Sequence, residues 1–371
     1  MKFQWAVQIA IFLSEKVSTM NFCVYLDNGH EVHGYFVPDG FSKQPKIHVR
    51  VNGEDKITEI NCWIYLEGAK AQGAHETGNV AFVLSKDNVP GIDLADDLEI
   101  IDPDSGLVFY RRDKFGKYIP KKVFRLETSY VPQMEIDLSL KPYFQFFEHR
   151  VENYGFETVR QMLEIIHQPS VYVSGRVLLK NYLLYIDYNI DTTLISLRDP
   201  FYELATRLII FSRFKKHRFR FVTERDKTLF LPVIEWFSDV DIQDEGSIRK
   251  KIRSAPKDTL SLLSSPFTHQ LIASSPSDVA RLDDVSRALD RLSQFTLFDA
   301  GRYESGYADN IAELLNIPVG TIKIKPQLEP VHQLADILRS ISTVEHILEA
   351  DLILYHFIQK AEHKAFSNQE G

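Results

Sequence analysis

The stretch from Val171 to Phe214 reads VYVSGRVLLKNYLLYIDYNIDTTLISLRDPFYELATRLIIFSRF. It holds two short apolar runs, Val171–Val173 and Thr193–Leu197, each followed by a turn and a longer apolar segment. Asp199 and Pro200 favour a helix start at the second turn, because aspartate is a preferred N-cap and proline suits the first helical position. Two consecutive strand-turn-helix units predict an α/β domain with a parallel sheet.

A different pattern covers the preceding part of the chain, from Asn21 to Arg112. Short β-rich runs with period-two alternation lie there, separated by turn sequences such as Asn52-Gly53. The runs are Phe22–Leu26, Val32–Val37, Lys46–Val51, Ile57–Leu66, Val80–Leu84 and Leu98–Arg111. Several short strands joined by tight turns predict an antiparallel β-sandwich.

The two patterns and the length of 371 residues predict two domains, since a domain takes about 100–200 residues. We assign residues 1–20 to an N-terminal extension, 21–112 to the β-sandwich and 142–371 to the α/β domain. The stretch 113–141 loses the alternation and carries several prolines and lysines, which is typical of a linker. Met20 is an alternative start of the protein.

Composition narrows the function classes. The 43 Lys and Arg against 51 Asp and Glu give a net charge of −8, which disfavours a surface built wholly for nucleic acid. Cys23 and Cys62 form no CxxC pair, so we predict neither a disulfide framework nor a zinc site, and a cytoplasmic location. No apolar run reaches the roughly 18 residues that a membrane span needs.

The turn Ser174-Gly175-Arg176 is the first candidate anion site. A strand, a small-residue turn and a helix form a cradle for phosphate, because the helix start presents unpaired backbone N–H groups. Arg176 and Lys180 would add positive charge. The alternative is an ordinary turn in which Gly175 serves only a positive φ.

The second turn, Leu197–Leu208, reads LRDPFYELATRL. It resembles the 3′-phosphate-binding motif of sulfotransferases that use PAPS, the sulfated adenosine bisphosphate donor. In that family an Arg-Asp-Pro-Phe run opens a helix and a serine follows eight residues after the arginine. Here Arg198 and Thr206 have that spacing, 206 − 198 = 8, with threonine in the place of serine.

The resemblance extends from about Pro169 to Lys360, roughly half of the chain. Later segments follow the order of the carbohydrate sulfotransferases, and they are Pro266–Leu271, Asp278–Phe295, Thr296–Glu304, Ile311–Pro318 and Glu349–Phe357. The resemblance implies a P-loop-like, sulfotransferase-like parallel sheet with flanking helices. It also implies PAPS as co-substrate, a glycan or polysaccharide acceptor and no metal.

The family's mechanism assigns roles to residues of this chain. Arg198 and Thr206 would hold the 3′-phosphate, and the turn formed by Ser174, Gly175 and Arg176 would hold the 5′-phosphosulfate. The family's donor loop carries a lysine or arginine that stabilises the bridging oxygen as the sulfuryl group leaves, and here Arg176 or Lys180 would have to substitute for it. The hydroxyl residue that follows in the family is missing in this chain. A general base near the acceptor is also needed, for which Asp187 and His269 are the candidates.

Alternative functions stay open from the sequence. One is a glycosyltransferase that uses a sugar nucleotide, and another is a non-catalytic glycan-binding protein on a degenerate sulfotransferase fold. The basic run Arg213–Arg220 would suit a polyanionic acceptor, or it is a solvated helix end whose cations favour the helix dipole. We predict no nucleic-acid partner, and the sequence leaves the oligomeric state open.

Overall fold

A computed structural model of the chain describes residues 20–238, 240–242, 244–300 and 304–367. Apart from Met20, the predicted N-terminal extension lies outside the described residues. The first eight strands are β1 Asn21–Asp27, β2 Val32–Val37, β3 Lys46–Val51, β4 Ile57–Asn61, β5 Ile64–Tyr65, β6 Asn79–Leu84, β7 Leu98–Ile101 and β8 Val108–Arg111. A short helix, α1 Glu67–Ala71, precedes β6.

These strands form two antiparallel sheets with the orders β1-β2-β6-β5 and β4-β3-β7-β8. The sheets share one core, in which Phe22 and Phe36 contact Phe109 at ring-centroid distances of 5.3 and 5.4 Å. The antiparallel strands that the alternation of apolar residues predicts in this part of the chain are therefore present.

Two of the predicted strands are divided in the structure. The run Ile57–Leu66 becomes β4 and β5, and the run Leu98–Arg111 becomes β7 and β8. The second break has a clear cause, because the carboxylate of Asp102 accepts hydrogen bonds from the backbone N–H groups of Asp104 and Ser105. This local turn reverses the chain and makes a hairpin of the two halves.

The predicted parallel sheet is present and has five strands. They are β9 Lys122–Leu126, β10 Phe146–Glu148, β11 Val171–Gly175, β12 Thr192–Ser196 and β13 Leu297–Asp299. Their order is β10-β11-β9-β12-β13, and every neighbouring pair is parallel. The chain therefore has a mixed α/β architecture in which antiparallel sheets precede a parallel one.

The stretch predicted as a linker, 113–141, supplies the central strand β9 of this sheet. It also lies against the N-terminal sheets, since Phe124 and Leu126 of β9 belong to the same core as Phe22 of β1. The prediction of a simple connector here was wrong. Pro120 and Pro132 flank β9. Because prolines are typical of loops, the sequence pattern did not indicate the short strand between them.

Helices surround the sheet. They are α2 Met134–Leu140, α3 Phe156–Leu163, α4 Leu183–Asn189, α5 Pro200–Arg213, α6 Glu224–Leu229, α7 Leu231–Phe237, α8 Glu245–Arg253, α9 Lys257–Ser261, α10 Pro266–Ile272, α11 Asp284–Leu292, α12 Glu304–Leu315, α13 Glu329–Arg339, α14 Ser342–Ile347 and α15 Glu349–Ser367. Short 3₁₀ helices span Lys141–Tyr143, Val151–Asn153 and Leu179–Asn181. Across the described ranges, none of the helices has the length and apolar character of a membrane span.

The helices cover both faces of the sheet. Val123 and Tyr172 pack with α2 and α12 on one face, whereas Phe124 packs with α3 and α10 on the other. A separate core joins α5, α7, α8 and α13, with Phe211 fully buried at its centre. The loop after β9 enters that second core through Tyr130, which connects the sheet to the helical part.

Candidate functional site

A cleft of about 210 Å³ lies where the chain leaves β9 and β11. The carboxyl ends of parallel strands meet at one edge of a sheet, and ligands of open α/β sheets bind in the crevice at that edge. Residues from α5, α6 and α10 complete its walls. Its polar lining includes Thr128, Tyr130, Glu152, Arg176, Arg207, Asp226 and His269.

Tyr130 lies between two guanidinium groups in this cleft. Its ring centroid is 5.0 Å from Cζ of Arg176 and 5.4 Å from Cζ of Arg207. The side chain is 1% exposed, and its hydroxyl has no hydrogen-bond partner among the described residues. Burial raises the pKa of Tyr130, so the phenol keeps its proton and offers a hydrogen-bond donor.

Arg207 belongs to α5 and forms an ion pair within that helix. Its Nε donates to Glu203 at 2.8 Å, and within the described ranges its terminal amino groups form no hydrogen bond. Glu203 in turn accepts a hydrogen bond from the backbone N–H of Tyr130 at 2.9 Å. Arg207 therefore presents two free N–H₂ groups beside the cleft while its charge is partly balanced.

Arg176 lines the cleft, as a donor-binding role requires, but its charge is already compensated. Its Nη2 donates to Asp226 at 2.7 Å, and its Nε lies 3.7 Å from Glu152. The backbone N–H of Arg176 also donates to Glu152, at 3.0 Å. A carboxylate of the protein thus occupies the position that an incoming anion would take.

The predicted Ser174-Gly175 turn is wrong, because both residues belong to β11 and pair with β9 through Gly175 and Leu126. Ser174 is buried and its hydroxyl donates to Asp137 at 2.8 Å, away from the cleft. A Cβ on Gly175 would lie 2.6 Å from the backbone nitrogen of Val151. Close packing, and not a positive φ, explains the glycine.

Another carboxylate of the protein also accepts hydrogen bonds from backbone N–H groups near the cleft. Glu127 accepts from Ser129 at 3.0 Å and from Gln133 at 2.7 Å, in the loop between β9 and α2. No α-helix follows β11 directly within the described residues, since a 3₁₀ helix begins at Leu179. An anionic ligand in the cleft would therefore contact side chains more than backbone donors.

The second predicted anion site lies at the start of α5. Asp199 caps that helix by accepting from Phe201 at 2.8 Å and from Tyr202 at 3.0 Å, which confirms the predicted N-cap. The Thr206 hydroxyl donates to the backbone oxygen of Tyr202 at 2.9 Å. Arg198 is half-buried, with its Cζ 5.6 Å from the Tyr202 ring.

Arg198 and Thr206 do not line the cleft. Arg198 nevertheless interacts electrostatically with Glu203, the partner of Arg207 in the cleft wall. Burial raises the pKa of Glu203, whereas Arg207 and Arg198 both act to lower it. Both arginines therefore interact with the same buried carboxylate, which belongs to α5.

His269 is the predicted base that the fold brings into the cleft. Burial lowers the pKa of His269, although backbone hydrogen bonding with Ser275 and Asp278 favours the protonated ring. Among the residues that the structure describes, nothing bonds to its buried Nε2. Asp187 on α4 and Lys180 on the preceding 3₁₀ helix are exposed and do not line the cleft.

Tyr130, Arg207, Glu152 and Asp226 were missed from the sequence. Arg207 directly follows Thr206 in the motif Leu197–Leu208. It lies four residues after Glu203 in an apolar helix, and this spacing could have predicted the ion pair between them. Tyr130 lies in the segment predicted as a linker and gave no such signal.

No group of three or more His, Cys, Asp or Glu that could hold a metal ion occurs in the part of the chain that the structure describes. Comparisons with family models, with curated proteins and with solved structures find no match to this chain. The site is therefore interpreted from its own geometry.

We expect Glu148→Gln to stabilise the protein at pH 8 by about 1–3 kcal/mol, and by less at pH 5. Glu148 ends β10, and burial raises its pKa to about 7, against the opposing effects of the His149 N–H, Lys141 and Arg111. Because the folded state holds this proton more tightly than the unfolded state, stability is lost as pH rises from about 4.5 to 7. Glutamine removes that loss and keeps an acceptor for the backbone of His149.

Denaturant unfolding of the variant and the wild type at both pH values checks this prediction. Glu313→Gln, at an exposed position of α12, is the matched control and should change stability little at either pH. A gain from Glu148→Gln that does not grow between pH 5 and pH 8 would contradict it.

Proposed function

We propose that the chain is a sulfotransferase-like transferase that moves a sulfuryl group from PAPS to a hydroxyl of a glycan or surface polysaccharide. Its parallel sheet would be the P-loop-like donor domain, and the N-terminal antiparallel sheets a β-sandwich that positions the acceptor. The observation that carries the proposal is the cleft, which combines the free amino groups of Arg207, the hydroxyl of Tyr130 and Nε2 of His269. The motif Arg198-Asp199-Pro200-Phe201 at the start of α5 supports it.

The donor would bind through charge on both sides of α5. We assign Arg198 to the 3′-phosphate, because it is accessible at the end of β12 and within the described residues forms no ion pair. Thr206 keeps lone pairs after donating to Tyr202, so its part in phosphate binding is secondary. Arg207 and Tyr130 would face the 5′-phosphosulfate, with Arg176 behind them.

The reaction would be an in-line displacement at sulfur. Nε2 of His269 takes the proton of the acceptor hydroxyl as its oxygen forms the new bond to sulfur. The bond between sulfur and the bridging oxygen breaks, and the electron pair stays on the phosphate of the product PAP. Donors from Arg207 and Tyr130 stabilise the charge that develops on this oxygen.

One observation favours a second candidate, a non-catalytic glycan-binding protein on the same fold. The carboxylates of Glu127 and Glu152 accept hydrogen bonds from backbone N–H groups beside the cleft, so these donors are not free for a phosphate of the donor nucleotide. This candidate predicts glycan binding with no affinity for PAP.

We expect calorimetric titration to show that PAP binds the protein and that Arg198→Ala weakens binding at least tenfold, since a lost charge-assisted contact is worth about 1.5–3 kcal/mol. The matched control is Arg253→Ala, which removes an exposed arginine of α8 and should leave the affinity unchanged. Equal PAP affinity in the wild type and Arg198→Ala would remove the assignment. Binding of a UDP- or GDP-sugar without PAP binding would favour a glycosyltransferase instead.

A further inference from the structure

The segment from Arg213 to Arg220 is a concentrated basic surface on an acidic protein. Its five cations are all exposed, and none of them forms an ion pair within the described ranges. They are Arg213, Lys215, Lys216, Arg218 and Arg220. The whole chain carries a net charge of −8, so this segment, the basic loop, differs sharply from the average surface.

Aromatic residues anchor the basic loop to the protein. Phe214 and Phe219 are half-buried with ring centroids 6.2 Å apart, and Phe219 lies 5.6 Å from Phe221. Phe221 in turn meets the edge of Tyr130 at 6.3 Å. Because these rings pack on one another and on the second core, the loop holds its cations outward in a defined arrangement.

The basic loop is continuous with the wall of the cleft. Its last residue, Arg220, accepts a hydrogen bond from Nη1 of Arg150 at 3.2 Å through its backbone oxygen. The next residue, Phe221, lies against Arg176, whose Nη2 is 3.5 Å from its backbone oxygen. Thr223 and Arg225 then line the cleft itself. The basic loop and the cleft wall are therefore successive parts of one stretch of chain.

We propose that the basic loop binds an anionic polysaccharide, so that the acceptor is a carboxylated or sulfated glycan held along the loop with one hydroxyl in the cleft. This inference rests on the proposed function and names its acceptor class. Exposed guanidinium and ammonium groups without partners pair well with carboxylate and sulfate groups. Single-stranded nucleic acid is disfavoured, because its bases need open aromatic faces and the rings here are packed.

The test measures binding of fluorescent oligosaccharides to the full chain by anisotropy. The probes are a sulfated oligosaccharide, a polyuronate of the same length, a neutral glucan and a single-stranded DNA oligonucleotide of matched charge. The loop variant replaces Lys215, Lys216 and Arg218 with alanine, and the control variant replaces Lys250, Arg253 and Lys257. All six side chains are exposed, so both variants should fold, which circular dichroism checks.

We expect the anionic oligosaccharides to bind the wild type, to lose at least tenfold in affinity in the loop variant and to lose less than twofold in the control. Their affinity should fall as salt is raised, because exposed charges are screened. Equal losses in both variants, binding of the neutral glucan as tight as that of the anionic probes, or tighter binding of the DNA would each overturn the proposal. PAP titration of the loop variant separates the two proposals, since donor affinity should be unchanged when only the acceptor surface is altered.

Discussion

Replacing Asp137 with alanine is expected to lower the free energy of unfolding by about 3–5 kcal/mol, because it leaves a buried arginine without its main partner. Arg125 lies in the central strand β9 and is only 3% exposed. Asp137 of α2 accepts from both its Nε and its Nη2 at 2.9 Å. The same carboxylate accepts from the hydroxyls of Tyr172 at 2.7 Å and Ser174 at 2.8 Å. One substitution thus removes the acceptor of four hydrogen bonds.

Denaturant unfolding measures this loss. Glu135→Ala on the same helix is the matched control, since Glu135 is exposed and the change should stay within about 0.5 kcal/mol. Asp137→Asn keeps the shape and removes the charge, so it should fall between the two. If Asp137→Ala costs less than about 1 kcal/mol, the network does not hold β9 against α2 as its geometry indicates.

The same network explains why the sequence did not predict β9. Its five residues, KVFRL, carry an arginine at the fourth position, and a pattern of hydrophobicity treats that residue as exposed. Arg125 is buried because Glu127 and Asp137 neutralise it, and Asp137 comes from the following helix. Where a buried charge depends on a partner from another element, the local pattern cannot distinguish a strand from a loop.

Strands with alternating apolar residues and the capped helix α5 were predicted well. The first three strands and β6 lie within a residue of their predicted limits, and α5 begins at Pro200 behind its predicted cap. These elements follow from short-range rules, because alternation and capping involve residues only a few positions apart.

The candidate site was predicted in part. Arg176 and His269 were singled out by residue type, and the fold places both in one cleft. The partners of Arg176 were not predictable, since Glu152 and Asp226 lie 24 and 50 residues away along the chain. The sequence shows which side chains carry charge. Only the fold decides which of those side chains are paired within the protein and which remain free for a ligand.

If the proposed function holds, substituting His269 with glutamine is expected to lower the rate of sulfuryl transfer by about 10²–10⁴-fold, which is the usual contribution of a general base. PAP affinity should change less than twofold, because glutamine fills a similar space and no donor phosphate is assigned to this ring. Burial keeps the pKa of His269 below its ordinary value of 6.5, so Nε2 carries a lone pair at neutral pH. The wild-type rate should therefore be constant at pH 7–9 and fall as pH decreases through that lowered pKa.

The measurement is formation of PAP from PAPS with an anionic oligosaccharide acceptor, followed from pH 5 to pH 9. Asp187→Asn is the matched control, since Asp187 is exposed on α4 outside the cleft and its loss should leave the profile unchanged. A rate that survives in His269→Gln but is lost in Asp187→Asn would transfer the role of base to the aspartate. The pH profile of the residual activity identifies the titrating group. If the rate of His269→Gln no longer falls at low pH, that group is the histidine itself. Loss of a merely structural residue would instead lower the rate equally at every pH.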